Sequence, residues 1–200
     1  MVHRKISYII GCFILLISIF SCKQDPEDLG LQAEFANVQI DTLNANEHKP
    51  HKIKYLFVHC IATDPNKGRW SPQRLKAFFT DAKPKGNGWD RYGYNDYIDY
   101  NANLHEITPL DCDEYLQYNE LTYNASGYNN VSIAISLEGG CEYKKGKLVP
   151  KDNFTPQQLQ QLEKRIIYYK QKYPWIQVRA HNEVNSGKAC PVLDIKKLKI

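Results

Sequence analysis

This 200-residue chain has little net charge, no internal repeat and no apolar run long enough to cross a bilayer. The formal charge of +4 includes Arg4 and Lys5, which lie in a segment expected to be removed; +2 is left, too little to point to a nucleic-acid partner. The basic stretch Lys196-Lys197-Leu198-Lys199 reads as a solvated helix face. Residues 6–20 are mostly apolar but fall short of the roughly 20 residues that a membrane span needs. A His-Glu-x-x-His helix is also missing, so no metalloprotease-type carboxylate base sits beside a pair of histidines.

What is present begins with His3, Arg4 and Lys5 ahead of that short apolar run, the layout of a secretory signal peptide. The run ends in Ile19-Phe20-Ser21-Cys22, which resembles a bacterial lipobox. The expected division is a lipoprotein signal peptide over 1–21, a lipidated start and flexible tether over 22–50, and one domain over 51–200. Cys22 is then the acylated residue. Each buried acyl methylene contributes ~0.8 kcal/mol and two chains hold a protein on a membrane. The tether is polar and opens acidic, with Asp25, Glu27 and Asp28. The expected location is the outer membrane of a Gram-negative bacterium, facing the periplasm or the surface, with the protein a monomer. About 150 residues remain for a single core.

Hydrophobic patterning predicts an α/β domain, with a mixed central sheet flanked by helices. Residues 53–60 form a continuous apolar strand. Ser71-Pro72 opens a helix to about residue 82, with Leu75, Phe78 and Phe79 at helical spacing. Strands are expected over 94–99, 103–107, 131–137 and 175–180. Thr155-Pro156-Gln157-Gln158 is a capping box that starts a long helix to about residue 172. A short helix is expected over 192–198. An extracytoplasmic compartment permits disulfides, and Cys112–Cys141 is one open pairing.

The chemistry concentrates in three distant residues: His59 at the end of the first strand, His181 after the last, and Cys190 before Pro191. Two imidazoles and a thiolate form a three-ligand zinc set that leaves the fourth position free, as catalytic rather than structural sites do. Adjacent strand residues point to opposite faces, so Cys60 cannot join His59 on one ion and is expected to pack as a small apolar group. Glu183 is a candidate partner for a ligand histidine, or an alternative base. His105 is expected on an exposed strand position, and His48 and His51 carry no visible role.

Four blocks in order make the chain resemble the zinc-dependent N-acetylmuramoyl-L-alanine amidases, a family shared by phage amidase-lysozymes and peptidoglycan recognition proteins. They are Val58-His59-Cys60; Gly88-Trp89-Asp90-Arg91-Tyr92-Gly93-Tyr94-Asn95; Ser132-Ile133-Ala134-Ile135-Ser136-Leu137-Glu138-Gly139-Gly140; and His181 through Lys188-Ala189-Cys190-Pro191 to Asp194. The resemblance implies that His59, His181 and Cys190 hold Zn2+, with Tyr94 and Lys188 catalytic. It implies cleavage between N-acetylmuramic acid and L-alanine of peptidoglycan. Asn95 departs from the phage branch, and Asn101-Ala102-Asn103 replaces the usual Asp-Gly turn. Two other readings stay open: a peptidoglycan-binding module without activity, and a zinc endopeptidase acting within the stem peptide.

Overall fold

The computed structural model describes residues 48–111 and 113–200. The signal segment, Cys22, the tether up to residue 47, and Cys112 with its pairing to Cys141 lie wholly or partly outside that range. In chain order the strands are β1 (His51–Lys52), β2 (Tyr55–Cys60), β3 (Asp96–Ile98), β4 (Leu104–Glu106), β5 (Tyr115–Leu116), β6 (Ser132–Leu137), β7 (Cys141–Lys144), β8 (Lys147–Pro150) and β9 (Gln177–Ala180). Two α-helices accompany them, α1 (Pro72–Thr80) and α2 (Pro156–Lys172). No helix among the described residues is long and apolar enough to cross a membrane.

The central sheet runs β4-β3-β6-β2-β9. Strands β3, β6, β2 and β9 are parallel, and β4 closes one edge antiparallel. Strand alternation sorts β2 into two faces. Leu56 and Val58 join Ile133, Ile135, Leu162 and Ile166 in the larger core, beneath α2. His59 turns the other way, toward Tyr94, which belongs to a second core with Phe78, Phe79 and Tyr97 beneath α1. The two helices thus cover opposite faces of one sheet.

Both helices start where their caps dictate. Ser71 Oγ accepts the Arg74 N–H at 3.1 Å, and Pro72 fills the first helical position, where its missing N–H costs nothing. Thr155 Oγ1 accepts from Gln158 N–H while Gln158 Oε1 accepts from Thr155 N–H. Gln158 then reaches Glu138 O with its side-chain amide, tying α2 to the end of β6. Arg165 donates two hydrogen bonds to the buried Asp96 carboxylate, at 2.7 and 2.9 Å, and fixes α2 on β3.

The structure differs from the sequence expectation at three places. Residues 192–198 form no α-helix; one 3₁₀ turn, Ile195–Lys197, stands there, capped by Asp194 and preceded by Val192 at φ +68°. The β7–β8 hairpin was not expected. Its strands are only four residues each, and Lys145-Gly146, both at positive φ, make the turn. The short strands β1 and β5 pair with each other outside the main sheet.

Two backbone details shape the sheet's carboxyl edge. Gly140, at φ +91°, leaves no room for a side chain: a Cβ there would lie 2.4 Å from Cys60 Sγ. The Asn101-Ala102-Asn103 turn places Ala102 at φ +66°. Asp99 compensates by accepting from the N–H groups of Asn101 and Asn103 and from His105 Nε2. Burial opposes ionisation of Asp99, but these donors outweigh it and hold its carboxyl below the ordinary value.

Candidate metal centre

Parallel pairing brings the ends of β2 and β9 side by side, with Val58 opposite Ala180. His59 is the next residue of β2, and His181 begins a 3₁₀ turn directly after β9. Their ring centroids stand 4.4 Å apart. Cys190 returns to the same point through the loop after that turn, held by Asn182 N–H donating to Cys190 O at 2.9 Å. Its Sγ lies 3.5 Å from His59 Nδ1 and accepts the Cys60 backbone N–H at 3.3 Å. Cys60 therefore serves the site through its main chain, while its side chain packs against Gly140 on the other face.

The donor atoms of His59, His181 and Cys190 all lie within 4.8 Å of one another. The residues are 0%, 4% and 2% exposed. Three convergent donors of this kind, shielded from water yet at the end of a sheet, can share one metal ion. Among the described residues no other cluster of three His, Cys, Asp or Glu meets the same criterion.

Of the other candidate residues, Tyr94 packs beside His59, while Glu183 and Lys188 lie on the segment between His181 and Cys190. Tyr94 is fully buried, with its ring 5.2 Å from that of His59 and edge-on to Phe79. Lys188 is half-buried in the loop between His181 and Cys190, where its N–H donates to Asn185 O. Glu183 accepts the Ala180 N–H and the Arg179 guanidinium, so its carboxylate braces the turn that presents His181. His105 lies away from the centre, paired with Asp99 and stacked on Tyr97. His48 also lies away from it, where its Nε2–H donates to Leu116 O of β5 at 3.0 Å.

Sequence reasoning missed two side chains on the same face. Ser136 is the in-register neighbour of His59 across the β2–β6 ladder, and its buried Oγ makes no hydrogen bond among the described residues. Glu138, two residues on, is fully buried and accepts from Trp70 N–H, Tyr97 OH and Tyr100 N–H. Burial and the adjacent Glu138 hold the Tyr97 phenol well above its ordinary pKa, so it stays protonated. A lone acidic residue ending an apolar strand was the only signal for Glu138, and a serine in a strand gives none.

The chain is similar to known proteins. The endolysin of Escherichia phage T7 is 34% identical over 144 residues, covering 71% of this chain and 82% of the endolysin. Among solved structures, the Ph2119 endolysin from Thermus scotoductus MAT2119 bacteriophage Ph2119 superposes with a TM-score of 0.55 at 20% identity. It spans 75% of this chain and 84% of its own. The N-acetylmuramoyl-L-alanine amidase LysC from Clostridium intestinale URNW gives 0.52 at 19% identity, over 72% and 81%. These two likenesses establish the amidase-like fold. Residues 49–192 match the N-acetylmuramoyl-L-alanine amidase family along their length, from before β1 to just past Cys190, and the chain belongs to that family.

Proposed function

We propose that this protein is a zinc-dependent peptidoglycan hydrolase that cuts the amide between the lactyl group of N-acetylmuramic acid and L-alanine of the stem peptide. The observation that carries the reading is the buried His59–His181–Cys190 triad in a member of the amidase family. Its donor set suits zinc. With Zn–N near 2.0 Å and Zn–S near 2.3 Å, a tetrahedral N–S edge is about 3.5 Å, and Cys190 Sγ stands 3.5 Å from His59 Nδ1. Three protein ligands leave one position for chemistry.

Zinc bound there supplies a Lewis acid for the scissile carbonyl and lowers the pKa of water to about 7. The chain's own residues do the rest. Tyr94 presents a phenol beside His59 from a wall of packed aromatic rings, where it can orient the attacking water and relay its proton. Lys188 offers a cation for the oxyanion that develops on the carbonyl. Burial of the ligands keeps bulk water from competing for these contacts and strengthens each electrostatic contribution.

Removal of the metal tests the proposal. Release of dye from labelled sacculi should stop after dialysis against a zinc chelator and return when one equivalent of zinc is restored. Undiminished release by metal-free protein, verified by metal analysis, would contradict it.

A further inference from the structure

The established family and the triad account for the floor of the site, but not for a cluster of exposed cations on the same edge of the sheet. The loop after β2 and the β7–β8 hairpin both leave the carboxyl edge that carries His59. They are joined there: Thr63 bridges Gly140, and the Asp64 carboxylate accepts the Tyr143 N–H at 2.8 Å. Lys67, Arg69, Lys144, Lys145, Lys147 and Lys151 are all exposed on these two segments. Glu142 and Asp152 are the acidic residues of 139–153 and Asp64 that of 61–71; Asp64, like the neighbouring Glu138, is buried and already accepts backbone N–H groups.

Two of the cations are held over aromatic rings rather than left to wave in solvent. Arg69 lies 3.8 Å from the Tyr100 ring centroid, and Lys67 stands 5.7 Å from that of Tyr143. Tyr143 is itself 37% exposed, so this ledge offers flat apolar faces as well as charge. No negatively charged side chain of the described residues closes an ion pair with these six cations. A solvated lysine face needs neither the rings nor the anchoring by Asp64.

We propose that this ledge is a second docking surface for the peptidoglycan polymer, engaging the free carboxylates of stem peptides beyond the one being cut. This rests on the reading of the substrate given above. The ledge adds nothing to the chemistry at the metal; it raises the local concentration of enzyme on an anionic, insoluble substrate, and charge of this kind acts mainly through encounter and salt-sensitive retention. Small soluble fragments, which cannot reach both places, gain nothing from it.

The test uses the full chain in detergent and a triple variant, Lys144→Glu with Lys145→Glu and Lys147→Glu, on exposed hairpin positions. Sacculus pelleting at low salt should show retention of the variant reduced by about tenfold, with the fall in wild-type binding on adding salt largely abolished in the variant. Turnover of a soluble muropeptide should stay within about twofold of wild type, because no substituted residue belongs to the metal centre. Soluble polyglutamate should also displace the wild type from sacculi, a measurement that does not depend on the variant folding. Equal retention and equal salt response in the two proteins, or no displacement by polyglutamate, would overturn the ledge. Salt-dependent retention by a wild type that turns over no muropeptide would instead overturn the hydrolase reading and leave the ledge standing.

Discussion

Cys190→Ser should purify as a folded protein that has lost most of its zinc. The thiolate is the one soft, charged ligand in the set, and an alcohol at that position makes a far poorer zinc ligand. Serine is also smaller than cysteine and sits in a loop, held by the Asn182 N–H to Cys190 O bond, which the substitution leaves in place. Cys190 belongs to neither hydrophobic cluster, and a serine hydroxyl there can still accept the Cys60 N–H of β2. Metal analysis after gel filtration should give about one zinc per wild-type chain and a small fraction of that in the variant, with matching circular dichroism. Equal zinc in both proteins would remove Cys190 from the ligand set.

Tyr94→Phe and Lys188→Ala should do the reverse, keeping the metal and losing the chemistry. In Tyr94→Phe the ring contacts with Phe79 and His59 survive, and only the hydroxyl is lost. Lys188 is in a surface loop, so its truncation leaves no cavity in the core. A donor acting on charge that develops in the transition state contributes ~3–4 kcal/mol, so kcat should fall by about 10²–10³-fold in each variant. KM should change much less, because the ground-state contacts persist. A kcat within threefold of wild type, with zinc retained, would take either residue out of the mechanism.

The contrast between what was legible in the chain and what was not has a physical basis. Local signals carried their elements: Ser71-Pro72 and the Thr155–Gln158 box start the two helices, and the apolar runs before His59 and through Ser132–Leu137 are the two central strands. Those signals need only neighbouring residues. The metal triad is different, since His59 and Cys190 are 131 residues apart. Periodicity could place each near the end of a strand or in a loop, and only their ligand chemistry and the family pattern linked them. The Cys60 N–H that meets Cys190 Sγ was invisible because a backbone donor leaves no mark in a sequence. The β7–β8 hairpin escaped for another reason: its strands are four residues each, and the alternation of Cys141–Lys144 is not continued in β8, where Leu148 and Val149 are adjacent. The basic ledge was missed with it.

The central claim concerns which bond is cut, and the ends left in digested sacculi report that directly. Mass spectrometry of wild-type digests should find a free L-alanine amino terminus and a muramic acid lactyl carboxylate without peptide. The two should appear together, in equal amounts, and only when zinc is present. Products that keep muramic acid joined to L-alanine, with new ends inside the stem, would contradict the account.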